Sequence, residues 1–162
     1  MATVVVKTRI LAPARRCFDL ARSIDLHLDS NAATGERAVA GVVTGLLDAG
    51  DEVTWRARHF GMWRELTSRM VEFDPPRHFR DAMVRGPLNR FHHDHHFEED
   101  GVATLMTDRY EFQFVTGLLG SWLDHLVLRP HFERFLTRRN SVLREVAESN
   151  KWRNYLPDGT AS

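Results

Sequence analysis

From its third residue the chain alternates, with Val4, Val6, Thr8 and Ile10 on one side and Thr3, Val5, Lys7 and Arg9 on the other. This period of two, rich in β-branched residues, predicts a half-buried strand over 3–11. Ala12-Pro13 ends it, because proline has no N–H to donate and suits the first turn of a helix. Ala14, Cys17, Phe18 and Ala21 then recur at helical spacing, predicting a short amphipathic helix over 13–22. Ser23 offers a fresh cap, and a second short helix runs to about Leu28. The stretch 29–36 reads as loop. Beyond it the period returns to two in six segments: 37–44, 51–60, 63–73, 79–85, 91–98 and 104–114. Their separators are short and carry turn residues, as in Asp74-Pro75-Pro76, Gly86-Pro87 and Glu99-Asp100-Gly101. Neighbouring strands joined this tightly run antiparallel, since a parallel return needs a long crossover.

Gly117 and Gly120 close the strand region, and Ser121 can cap a helix after them. From Leu119 to Ala147 the apolar positions Trp122, Leu126, Phe132, Phe135, Val142 and Val146 keep a helical spacing. Arg134, Arg138 and Arg144 occupy the other side. A helix of about 28 residues at ~1.5 Å per residue crosses a whole small domain, and Pro130 is expected to bend it. The tail from Lys151 has no periodic pattern. Residues 1–150 are therefore read as one domain and 151–162 as a loosely ordered tail.

Composition narrows the classes. The chain has 162 residues, 22 basic against 22 acidic, so its formal net charge is zero. A nucleic-acid binder carries a basic excess or stripe, and neither occurs. Every long apolar run is broken by charge, so no membrane span is expected. The N-terminus lacks the order of a signal peptide, and the lone Cys17 has no internal disulfide partner. Both point to the cytoplasm.

Strand, two short helices, six strands and one long helix is an order with a known echo. The sequence resembles the START-like superfamily of helix-grip proteins, also called SRPBCC or the polyketide cyclase/dehydrase and lipid-transport group, in its small bacterial stand-alone branch. The residues that carry the resemblance are 55–61 (WRARHFG), 66–69 (LTSR), 72–76 (EFDPP), 79–81 (FRD), 85–87 (RGP), 91–97 (FHHDHHF) and 107–111 (TDRYE). It extends over about residues 3–147. It implies an α+β helix-grip fold: about seven curved antiparallel strands wrapped around the C-terminal helix, with a cavity between them for a hydrophobic or aromatic molecule.

The histidine strand holds the densest chemistry. Alternation puts Phe91, His93, His95 and Phe97 on one face and His92, Asp94 and His96 on the other. The two phenylalanines mark the first face as the inner one. Two imidazoles at i and i+2 chelate a divalent metal when a third ligand is supplied, and a His-Asp-His face does so at a surface. No second ligand cluster with zinc-like spacing exists, so no metal or other cofactor is expected; His93 and His95 read instead as satisfied polar groups in an apolar cavity. If Tyr110, Phe112 and Phe114 face inward, so do Asp108 and Met106. The resemblance places 104–114 beside 91–98, where Asp108 reaches His93 or His95. That arrangement suits a general base, and equally a buried polar pair that only satisfies itself.

Asp81 shares a face with Phe79 and Met83, and His59 alternates with Trp55 and Ala57, which makes them candidate cavity residues. Trp55, Trp63, Trp122 and Phe132 are of a kind more often plain core than ligand platform. Arg139 lies on the apolar stripe of the long helix, where an arginine snorkels at a cavity rim or binds a carboxylate. Cys17, on an apolar helix face, behaves as a small hydrophobe. Neither a G-x-S-x-G elbow nor a phosphate-binding glycine loop occurs.

The expectation is a binding protein for a small apolar or aromatic, lipid- or polyketide-like metabolite. Its candidate ligand contacts are Trp55, His59, Asp81, Met83, Phe91, His93 and His95 on the earlier strands. Met106, Asp108, Tyr110, Phe112, Trp122, Phe132 and Arg139 join them further along the chain. The rival is an aromatase/cyclase-like enzyme using His93 or His95 as base with Asp108 orienting it. A third reading is an accessory protein that docks a partner through a sheet edge or the long-helix face. Either a monomer or a homodimer is compatible with an exposed sheet edge.

Overall fold

The first strand, β1, runs Ala2–Ile10, with Ala2, Val4 and Ile10 buried and Val5 half exposed, as alternation requires. Two short helices come next, α1 (Ala14–Ala21) and α2 (Ile24–Ser30); the Ser23 hydroxyl accepts the Leu26 N–H at the start of α2. A single 3-10 turn, Ala32–Thr34, leads to six further strands. These are β2 (Arg37–Gly41), β3 (Glu52–His59), β4 (Met62–Asp74), β5 (His78–Arg85), β6 (Arg90–Asp100) and β7 (Ala103–Gln113). The structure, a computed structural model, describes residues 1–59, 61–114 and 122–157.

All seven strands form one antiparallel sheet in the order β1-β7-β6-β5-β4-β3-β2. The first strand therefore pairs with the last, so the two ends of the strand region meet. Register shifts in β4 opposite β5, at 67/68 and 70/72, add the local bends that curve the sheet. Gly41, at φ +74°, passes so close to β3 that a Cβ there would stand 2.2 Å from the Glu52 carbonyl oxygen. Only glycine fits this close approach.

The long helix, α3 (Arg129–Ala147), lies against the sheet and buries Leu136, Arg139, Asn140, Leu143, Val146 and Ala147. Pro130 does not bend it midway. It sits in the first turn of α3, directly after a π-helical turn at Asp124–Leu128, where its missing N–H leaves the regular ladder broken. The expected helix start at Leu119, with Gly117, Gly120 and Ser121, lies outside the described residues.

The described part of the tail, residues 151–157, also departs from expectation. Residues 150–154 form a 3-10 helix and Leu156 is buried. Trp152 lies under the Arg16 guanidinium at 4.6 Å, and the Tyr155 hydroxyl donates to Asp29 at 2.7 Å. Isolated aromatics carry no period, but two of them are enough to anchor a short segment.

The core divides into two clusters. One gathers Phe18, Phe79, Phe97, Met106, Leu143 and Leu156; the other Val4, Phe91, Tyr110, Phe112, Leu128 and Leu136. Cys17 is fully buried in the first, and burial pushes its thiol from 9.0 up to about 11. The folded chain thus holds this proton more tightly than the unfolded one. Stability linked to the thiol is intact below about pH 9.0 and lost as pH rises toward about 11. At neutral pH a thiol-labelling reagent is expected to leave native protein unmodified and to react fully in urea. Labelling of native protein at the rate of a free thiol would contradict this burial.

Candidate functional site

Register across three strands builds the site. Asp81 on β5 pairs with His93 on β6, which pairs with Tyr110 on β7. One step along, Phe79 pairs with His95 and His95 with Asp108. Directly paired residues project to the same face, so these six side chains stand in two adjacent rows on the inner side. His93 packs edge-on to Tyr110 with ring centres 4.9 Å apart, and His95 stacks on Phe79 at 4.2 Å. The histidines thus bridge the two core clusters.

Asp108 is the hub. It is fully buried, and its Oδ1 lies 3.0 Å from His93 Nε2 and 2.8 Å from His95 Nδ1. The first is a hydrogen bond; the second is close but poorly aligned, an ion contact rather than a directed bond. Asn140 of α3 donates its Nδ2 to Asp108 Oδ2 at 2.6 Å and to Thr8 Oγ1 at 3.3 Å. Arg139 Nη1 stands 3.6 Å from Asp108 Oδ1, while its Nη2 donates to the Ala21 carbonyl at 3.1 Å. Asp81, about one-fifth exposed, lies 3.6 Å from His95 Nε2 and 3.8 Å from His93 Nδ1.

Electrostatics separates the two imidazoles. Burial, reinforced by the neighbouring His95, lowers His93 to about 4, so it stays neutral at ordinary pH. Burial pushes His95 the same way, but the charge and contacts of Asp108, joined by Asp81, outweigh it and raise His95 above its usual value. Burial likewise works against the ionised Asp108, yet the two histidines hold its carboxyl well below the usual range. Asp81 is lowered for the same reasons. Burial, with the nearby charge of Asp81, lifts the Tyr110 phenol well above its ordinary value.

The rows open onto a cavity of about 430 Å³ between sheet and helix. Trp55, Phe91, Tyr110 and Phe132 supply aromatic wall, and Asp81, His93, His95 and Arg139 its polar end. Other sequence candidates fall elsewhere. Met106 and Phe112 are fully buried core, Asp108 stands behind the histidines, and Met83 packs against the second cluster. Trp122 is a correction: it lies before the π turn at Asp124–Leu128, is 56% exposed and is not part of the cavity wall. Arg139 is another, for it does not snorkel but buries its guanidinium against Asp108 and a carbonyl. The side chain of His59 lies outside the described residues.

The sequence reading missed Asn140 and Thr8. Both were findable: Thr8 is on the inner face of β1, and Asn140 falls at helical spacing from Leu136, Leu143 and Ala147. On the outer face the partner of Asp94 and His96 is His78 of β5, not His92, because that strand brings its own histidine beside His96.

A curved sheet gripping a long helix around an apolar cavity with one polar end defines a helix-grip protein. The chain belongs to the polyketide cyclase/dehydrase and lipid transport family, which it matches over residues 1–148. No curated protein sequence matches it. Among solved structures it is similar to TTHA0849 from Thermus thermophilus, with 17% identity, a TM-score of 0.70, and 90% of this chain and 99% of that one covered. Major latex-like protein 151 of Panax ginseng gives 15% and 0.66, covering 96% and 98%. The ZhuI aromatase/cyclase of Streptomyces sp. R1128 gives 14% and 0.64, covering 90% and 95%. At such identities these likenesses concern the fold. Among the described residues, no helix is long and apolar enough to cross a membrane.

Proposed function

We propose that the chain binds a small hydrophobic or aromatic molecule in the cavity, oriented by the polar end at Asp81, His93 and His95. The observation that carries this reading is the cavity itself. Its volume of about 430 Å³ falls within the usual range for small-molecule sites, and its wall is mainly apolar with few convergent polar groups. Removing apolar ligand surface from water supplies the affinity, and the polar groups choose the orientation. A well-filled interior would have favoured a partner-docking protein instead.

Filling the cavity tests it. Ala57 is buried and lines the wall, so Ala57→Phe places a ring in the ligand space without removing any contact. Binding of a fluorescent apolar dye to this variant is expected to weaken by roughly tenfold or more, about 1.4 kcal/mol. Thermal unfolding should change little. Undiminished dye binding in a folded variant would refute the cavity as the binding site.

A second reading, an aromatase/cyclase-like catalyst acting on a poly-β-carbonyl compound, is favoured by the carboxylate-held imidazoles at the cavity wall. His93→Ala or His95→Ala would then abolish turnover, while a carrier would only bind more weakly.

A further inference from the structure

The polar end of the cavity has a geometry that hydrogen bonding alone does not explain. His93 and His95 each turn one ring nitrogen to Asp108, at 3.0 and 2.8 Å. Their other nitrogens, His93 Nδ1 and His95 Nε2, lie 3.8 and 3.6 Å from the same oxygen of Asp81. Those separations are too long for hydrogen bonds. They are close to the edge of a coordination polyhedron, since ligands bound at ~2.0–2.2 Å in tetrahedral arrangement stand roughly 3.3–3.6 Å apart. The three donors lie within 4.8 Å of one another, each on a different residue.

The surroundings are those a metal site requires. A His-x-His pair on one strand, with a carboxylate in register on the next, presents three donors to one point from rigid backbone. Asp108 backs both imidazoles from the far side, which fixes ring orientation and strengthens the ligand nitrogens. Asn140 in turn holds Asp108 at 2.6 Å. Asp81 and Asp108 put two carboxylates beside the paired imidazoles, a donor set that favours a cation.

We infer that Asp81, His93 and His95 form a binding site for one divalent transition-metal ion, of the zinc or iron(II) class, at the polar end of the cavity. Two imidazoles and one carboxylate suit these ions and leave coordination positions open. All three residues line the cavity, so those positions face the bound molecule. An ion there would select ligands that carry a carbonyl or phenol oxygen. This deepens the cavity reading and rests on it only for the approach of that oxygen.

The outer-face cluster of His78, Asp94 and His96 is the natural competitor, and its geometry is worse. Asp94 already accepts from Arg80 Nε at 2.7 Å and contacts His78 Nε2 at 3.0 Å. Its two imidazoles stack nearly parallel, at 4.3 Å with 18° between planes, whereas His93 and His95 are tilted by 43°.

Full-length protein stripped with a chelator is titrated with Co²⁺, read by visible d–d absorption, and separately with Zn²⁺, read by calorimetry. About one equivalent is expected to bind, with the intense bands of a low-coordinate cobalt site. Asp81→Asn, nearly isosteric and partly exposed, is expected to weaken binding by roughly 100-fold, and His95→Gln to remove the bands. The double variant His78→Gln/His96→Gln, remote from the cavity, is expected to bind like wild type. Absence of stoichiometric metal on wild type would overturn the inference. So would binding that survives Asp81→Asn and disappears in the double variant. Dye binding to the metal-free protein is measured alongside: its persistence in a wild type that takes up no metal would refute the metal site and leave the cavity reading standing.

Discussion

Asp108→Ala is expected to cost about 3–5 kcal/mol of folding stability, the usual penalty for removing one partner from a buried charged network. Its carboxylate is fully buried and touches His93, His95, Asn140 and Arg139. Truncation would leave the buried Arg139 charge and Asn140 amide without their carboxylate partner. In a chain of this length the melting temperature would fall by roughly 6–20 °C, at about 2–4 °C per kcal/mol. Asp108→Asn should recover only part of the loss, because it keeps the shape and surrenders the charge. Urea unfolding with an unchanged slope is the measurement. A loss below about 1 kcal/mol would mean that Asp108 is not the electrostatic hub of the interior.

Phe18→Ala is expected to cost a similar 3–5 kcal/mol, roughly, for an entirely apolar reason. The ring is fully buried and meets Phe73, Phe79 and Phe97 edge to face at 5.5, 5.3 and 5.5 Å. It is the residue through which α1 reaches three strands, so its loss leaves a void that those rigid strands cannot close. Phe18→Leu should lose much less, since it refills most of the volume. If calorimetry and urea unfolding show the alanine variant nearly as stable as wild type, the packing described for α1 is wrong. The site lies on the far edge of this cluster, where His95 stacks on Phe79, so dye binding should weaken less than stability does.

The two variants probe interiors that were unequally visible in the sequence. Phe18 belongs to a helical stripe and was readable from spacing alone. So was the inward face of the histidine strand, because Phe91 and Phe97 flank His93 and His95 at even steps, and in the structure all four are buried. Asp108 was placed on the inner face by the bulky residues two and four positions on. These readings succeed because burial acts on each strand or helix separately and leaves its period in the chain.

What the chain by itself determined is the element order, the curved antiparallel sheet with its long helix, and which faces of β6 and β7 turn inward. Tertiary structure alone decided that Asp81 stands in register with His93, that Asn140 and Arg139 close over Asp108, and that Trp122 faces out. Those facts depend on the stagger between strands and on the angle at which α3 enters after its π turn. Neither stagger nor entry angle leaves a period in the sequence: each comes from turn geometry and from side-chain packing between elements far apart in the chain. A cavity and the group of charges at its end exist only once those elements have met.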